Sequence, residues 1–209
     1  MVSKVFIIGL PRTGTTSVSV ALLDYGFKVA HTAYTKRAFE LADVISDAPC
    51  FCDYPQLDKL FPGSRFVYLN RSLGTWVPSA HRLLTKMLPQ LEPKSGYLHP
   101  VLKRSIEQIF ACSSNSLSDV NLRDTYLKHQ NNVFNYFANR TDFLSIDVST
   151  DTSLIELLQF LNLPAKEPAK FPILNQGKMV DAWKKIKHPN KVNSLSAGKE
   201  HRKFFDYHR

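Results

Sequence analysis

The stretch Lys4-Val5-Phe6-Ile7-Ile8-Gly9-Leu10-Pro11-Arg12-Thr13-Gly14-Thr15-Thr16-Ser17 decides how the rest of the chain is read. Val5 to Ile8 is a short apolar run rich in β-branched residues, which predicts a buried strand. The run breaks at Gly9, and Pro11 and Gly14 rule out a simple continuation of strand or helix. From Thr16 on, Val18, Leu22, Leu23 and Phe27 recur at roughly helical spacing. The order is therefore strand, tight glycine loop, helix. It gathers backbone N–H groups and the positive end of a helix dipole at one point, which suits a phosphate or sulfate.

The loop comes close to the nucleotide-binding pattern G-x-x-x-x-G-K-[ST]. Gly9 and Gly14 have the right separation, but Thr15 stands where the lysine belongs. The positive charge has moved into the loop, to Arg12. Such a loop holds a diphosphate-like anion, but not in the Mg-NTP manner. A strand–helix turn that merely happens to be glycine-rich is the plainer alternative.

The segment Gly9 to Ser17 resembles the 5′-phosphosulfate loop of the sulfotransferases that use 3′-phosphoadenosine-5′-phosphosulfate (PAPS), and is most similar to the small bacterial-type members. The resemblance implies that Arg12, Thr13, Gly14, Thr15, Thr16 and Ser17 bind this co-substrate. It also implies an α/β fold of the P-loop NTPase-like kind: one domain over residues 1–209, with a mostly parallel sheet flanked by helices.

A second motif follows the clearest later strand, Arg65 to Asn70, which delivers Arg71 at its C-terminal end. Ligands of open parallel sheets bind beyond the carboxyl ends of the strands. Arg71 can face the first loop's ligand if the two strands are neighbours. Helical structure comes next, with Trp76, Ser79, Leu83 and Leu84; Ser72 or Thr75 can cap it, and Pro78 fits best in a first turn capped by Thr75. Arg71 with Ser79 eight residues on resembles the family's 3′-phosphate-binding segment. An arginine fork and a hydroxyl are chemically suited to a phosphate, although the spacing alone is a weak signal.

The rest of the chain punctuates as alternating helices and strands. A helix runs from about Thr16 to Tyr25 and stops at Gly26. Phe27 to His31 is a short strand. Tyr34 to Val44 is helix-like, and Ser46 to Cys52 is a break containing Pro49. Leu57, Leu60 and Phe61 fit one or two turns of helix entered through Pro55. Prolines interrupt residues 87–124, where Val101 to Ala111 is helical and Ser113 to Ser118 a polar loop; this region is expected to cap the acceptor side. Leu122 to Ala138 reads as a long amphipathic helix with Tyr126, Val133, Tyr136 and Phe137 apolar. Asp142 to Asp147 is a strand, and Ser153 to Leu161 a helix that Ser153 can cap, with a leucine stripe for the core. With Phe171 to Asn175, the resemblance covers roughly residues 4–176.

The totals agree with a globular protein: 209 residues, 44% hydrophobic and 22% charged. No apolar run approaches the roughly 18 residues of a membrane span, and the short run after Lys4 is not a signal peptide. The expected location is cytoplasmic. Cys50, Cys52 and Cys112 are an odd set without an export signal, which predicts reduced, partly buried thiols rather than disulfides or a zinc site. The net charge is +9, and residues 178–209 hold nine Lys/Arg against three acids. That basic C-terminal segment suits an anionic cofactor or is simply solvated surface. A nucleic-acid partner has nothing else in its favour, because no nucleic-acid-binding signature accompanies the charge.

Sulfuryl transfer releases adenosine 3′,5′-bisphosphate, so Arg12 and the N–H groups of Thr13 to Ser17 would neutralise the leaving phosphate. The scheme requires no metal, and no Asp follows the second clear strand to hold Mg²⁺. The base is open. The family's position before the second strand falls on Asp53, ahead of Tyr54-Pro55, and Asp53 can equally be a helix N-terminal acid. His31, at a predicted strand end, is the rival; Asp47 and His81 are outsiders. How adenine is held, the oligomeric state, and the sulfate acceptor, expected to be a small molecule, are not legible. A P-loop nucleotide kinase and a non-catalytic nucleotide-binding protein are the alternatives.

Overall fold

In the computed structural model, which describes residues 3–92, 95–111, 117–165, 169–174 and 182–197, β1 (Val5–Ile7) is the centre of a five-stranded sheet. Successive residues of a strand point to opposite faces, and β1 uses both. Val5 and Ile7 join one apolar cluster with Val18 and Leu22 of α1 (Thr15–Asp24) and Leu154, Leu157 and Leu158 of α7 (Ser153–Phe160). Phe6 lies on the other side, stacked on Phe66 at 5.3 Å and against Phe61 at 5.6 Å. Phe61 in turn stacks on Phe39 of α2 (Lys36–Leu41) at 6.0 Å.

The remaining strands are β2 (Val29–His31), β3 (Val44–Ser46), β4 (Arg65–Asn70) and β5 (Phe143–Asp147). The sheet order is β2-β3-β1-β4-β5, and every pairing is parallel. Residues 190–192 extend the edge: Val29 bridges Lys191 in parallel, and the Val192 N–H donates to Val29 O at 2.8 Å. The connection from β1 leads toward β2, whereas β3 and β4 send theirs the opposite way. The C-terminal end of β1 is thus where the strand order reverses, the usual place for a ligand in such sheets. The α/β class and the parallel sheet agree with the sequence, and β1 and β4 are indeed neighbours.

The helix ends have local causes. α1 stops at Gly26 (φ 88°), where Gly26 N–H bonds Leu23 O and Phe27 N–H bonds Leu22 O; a residue without Cβ adopts this left-handed turn without strain. α3 (Cys50–Leu60) bends at Asp53 (φ −104°, ψ 17°). Pro55 causes the bend, because it has no N–H to donate and its ring crowds the carbonyl four residues back.

The chain divides into two compact units, residues 1–71 with 141–209, and residues 72–140. The second carries α4 (Leu73–Leu91), α5 (Pro100–Phe110) and α6 (Asp119–Tyr136). Its interior is built on Trp76, fully buried, with Tyr126 at 4.8 Å and Phe110 at 6.5 Å between ring centroids. His99 caps α5 by accepting from Val101 N–H at 3.2 Å, with Pro100 pre-set in the first turn. Ser118 caps α6 by accepting from Asn121 N–H.

Several local expectations are corrected. Val44 to Ser46 is a strand, not the end of a helix and the start of a break, because it pairs on both sides inside the sheet. α3 begins at Cys50, ahead of Pro55. α4 begins at Leu73 with Ser72 before it, and runs through Pro78 and Pro89 to Leu91. Tyr136 is exposed rather than on the apolar stripe of α6. Ser153 does not cap α7; Thr152 holds the cap position, and Ser153 Oγ donates to Asp147 O at 2.5 Å. Cys112, Ser113–Ser116, Asn175 and half of the basic segment, including Arg202 and Lys203, lie outside the described residues.

Candidate anion-binding and active site

The loop from Gly9 to Gly14 leaves β1 and turns directly into α1. A Cβ on Gly9 would stand 2.6 Å from both Leu69 Cβ and Thr13 Oγ1, so only glycine lets the loop lie against β4. Gly14 has φ 108°, and a Cβ there would run into the side chain of Val148. Thr13 ties the turn by donating its N–H (3.2 Å) and its hydroxyl (2.7 Å) to Leu10 O. Gly14 is the N-cap of α1, and no side-chain cap bond is made there. The first turn contains no acid, so no carboxylate of its own opposes the positive end of the helix dipole. Thr15, Thr16 and Ser17 form that turn, all three buried.

Arg12 takes a left-handed conformation, φ 71°, which costs an L-residue about 1–2 kcal/mol. Arg71, just past the end of β4, secures it: its Nη1–H donates to Arg12 O at 2.5 Å. The two arginines singled out by the sequence, 59 residues apart, are therefore joined directly.

A second group converges on α1 from β2 and β3. His31 ends β2, and Asp47 follows β3 with φ 57°. Thr16 Oγ1 lies 3.2 Å from His31 Nε2, and the Thr15 hydroxyl donates to Asp47 Oδ2 at 3.3 Å. His31 Nδ1 is 2.7 Å from Ser46 Oγ, which is 2.8 Å from Ser19 Oγ. Ser19 Oγ donates to Thr15 O at 2.8 Å. The Trp183 ring covers the imidazole at 5.3 Å, and Asp47 Oδ2 lies 3.9 Å from Nε2. Burial lowers the pKa of His31; Asp47 opposes this and Lys191 adds to it. Nearby Tyr34 has its phenol pushed up to about 12, chiefly by burial.

Asp53 is almost fully buried (1% exposed) at the bend of α3, and Cys52 Sγ–H donates to its Oδ1 at 3.3 Å. Cys50 and Cys52 are free thiols. Burial drives the Cys50 pKa well up, reinforced by Cys52, Asp53 and Asp47. Cys50 thus lies within electrostatic reach of both carboxylates. Ser79 is buried on α4, in the second unit. His81 lies on the same helix.

The structure brings Arg12 and Arg71 together, and Thr16 with His31. Asp47, an outsider in the sequence, is bonded to Thr15. Ser19 and Ser46 were missed altogether. Their signal was available only through β3: Val44-Ile45-Ser46 is a short run followed by a carboxylate, and seen as a strand it places Ser46 and Asp47 beside α1. Among the described residues, no cluster of three or more His, Cys, Asp or Glu is placed to hold a metal ion. No described helix is long and apolar enough to cross a membrane.

A family model described as a sulfotransferase domain matches residues 4–36 and 32–180, two overlapping stretches that contain the loop, both arginines and all five strands. No curated protein gives a significant match.

Proposed function

The chain belongs to the sulfotransferase domain family, and from that premise we propose that it moves a sulfuryl group from PAPS to a hydroxyl or amine of a small-molecule acceptor, releasing adenosine 3′,5′-bisphosphate. The observation that carries the donor assignment is the joined pair of arginines at the ends of neighbouring strands, beside the N-terminus of α1. One cationic loop and one cationic strand end are what a ligand phosphorylated at both the 5′ and 3′ positions calls for.

In this scheme the phosphosulfate sits over the first turn of α1. The N–H groups of Gly14 to Ser17, the hydroxyls of Thr16 and Ser17, and Arg12 take up the charge that grows on the leaving 5′-phosphate as the S–O bond breaks, while Thr13, bonded to Leu10 O through its N–H and its hydroxyl, holds the turn. Such preorganised donors and correct alignment supply most of the acceleration in group transfers of this kind. Arg71 binds the 3′-phosphate. Ser79 is assigned a hydroxyl contact to that phosphate from the sequence resemblance alone. The acceptor's proton goes to Asp53, a buried carboxylate on the element that follows β3. The proposed setting is the cytosol, in keeping with the free thiols Cys50 and Cys52.

Incubation with radiolabelled PAPS and a panel of phenols, alcohols, amines and sugars tests the assignment. Label should pass to at least one class, with adenosine 3′,5′-bisphosphate formed in equal amount. Tight bisphosphate binding without transfer to any class would make the chain a non-catalytic binder. One observation favours a second reading. Asp47 follows a strand next to β1 and accepts from Thr15, and a carboxylate so placed holds Mg²⁺ in P-loop NTPases. A kinase would prefer Mg-ADP over adenosine 3′,5′-bisphosphate.

A further inference from the structure

We propose that His31 is a positioning residue for the anion loop: it takes up a proton when a phosphosulfate is seated on α1, and so turns the Thr16 hydroxyl toward the anion. This rests on the loop's being a phosphosulfate site. The protons in the His31 network can be counted. Ser19 Oγ lies 2.8 Å from Thr15 O, and a backbone carbonyl can only accept, so the Ser19 proton lies there. At the 2.8 Å contact between Ser19 and Ser46, the donor is then Ser46. With the Ser46 proton committed, His31 Nδ1 must donate at its 2.7 Å contact with Ser46 Oγ. A neutral imidazole carries one proton, so Nε2 is an acceptor, and the Thr16 O–H points at it across 3.2 Å.

In that state the proton of Thr16 is drawn toward the ring. Protonation at Nε2 reverses the contact. Nε2–H then donates to Thr16 Oγ1, and the Thr16 proton becomes available to an anion oxygen at the first turn of α1. One N–H bond forms, with the proton coming from solvent, and it is returned when the anion leaves. The surroundings act on this balance from several sides. Facing the ring are Thr16 and Ser19 of α1, Ser46 and Asp47 at the end of β3, the Trp183 ring of α8 (Ala182–Lys185), and Lys191 of the edge segment. Lys191 is itself held by Trp183 O and Ile186 O and lies 4.7 Å from the Trp183 ring centroid. Tyr34, which senses Asp47, stays neutral. Burial and Lys191 keep the imidazole neutral in the empty protein, Asp47 is a ready counter-charge, and a bound anion adds a second.

The sign follows from linkage. The empty protein has its His31 pKa below the ordinary 6.5, and the anion raises it. Affinity therefore strengthens as pH falls through the interval between the bound and empty values, and is flat above it. The probe is adenosine 5′-phosphosulfate, whose own charge is constant between about pH 5.5 and pH 8, unlike a terminal phosphate with a second pKa of about 6. Calorimetry in buffers of different ionisation enthalpy should show proton uptake and affinity rising by up to about tenfold per pH unit. His31→Gln should abolish both. Imidazole nitrogen NMR of the wild-type protein needs no variant, and should show the His31 signals moving toward those of imidazolium when the probe is added. Binding with pH-independent affinity, no proton uptake and unmoved His31 signals would overturn the proposal while leaving the phosphosulfate site intact. No binding of the probe at any pH, by folded protein, would overturn both.

Discussion

Arg12 is the residue on which the donor assignment turns, and its left-handed backbone is a cost that the Arg71 bond and the Thr13 turn help to offset. Gly9 and Gly14 were legible because a Cβ does not fit at either, and Arg12 and Arg71 because each is a cation just past the end of a predicted strand. Ser19, Ser46 and Asp47 obey no local rule and gain meaning only from tertiary placement. Two predictions belong here. Asp53→Asn keeps size and burial but removes the proposed base, so kcat for sulfuryl transfer should fall by about 10²–10⁴ with bisphosphate affinity within about twofold of wild type on the scale of ordinary surface substitutions. An unchanged kcat would give deprotonation to another group. Cys50 is buried and its thiol pushed well up, and the thiolate is the reactive form. Mass spectrometry should find Cys50 unalkylated by iodoacetamide at about pH 8, an ordinary thiol's range, until denaturant is added. Rapid native labelling would contradict the burial.

At the scale of elements, the sequence announced β1, α1, β4, β5 and α6 because their runs are long or sharply bounded. It missed β3 because three residues between a helix and a turn carry too little periodicity, and a strand inside a sheet need not alternate. It ended helices too readily at proline: α4 passes through both Pro78 and Pro89. Gly14→Ala brings a Cβ into Val148 at a left-handed φ. It should destabilise the protein by about 1–3 kcal/mol, read from urea unfolding, and weaken anion binding more than this loss of stability explains. Full stability with unaltered binding would mean that the loop has room to move. Trp76→Ala removes a fully buried ring packed on Tyr126 and Phe110. The expected loss is about 3–5 kcal/mol, and a loss under about 1 kcal/mol, as at surface sites, would show the helical unit to be loosely packed.

For the whole molecule, the parallel sheet with the order β2-β3-β1-β4-β5 puts the loop and Arg71 side by side at the point where the strand order reverses. That adjacency was conditional in the sequence and is explicit in the fold. The edge contribution of residues 190–192 was not legible, since its pairing rests on backbone bonds to Val29 rather than on a side-chain pattern. This end of the sheet is the proposed seat of a nucleotide phosphorylated at both the 5′ and 3′ positions. Calorimetric titration with adenosine 3′,5′-bisphosphate, beside ADP with and without Mg²⁺, tests it most directly. Binding should be metal-independent, prefer the bisphosphate, and weaken by about tenfold to a hundredfold in Arg12→Ala and in Arg71→Ala, the range for a hydrogen bond to a charged group. Preference for Mg-ADP, or bisphosphate binding indifferent to both arginines, would contradict it.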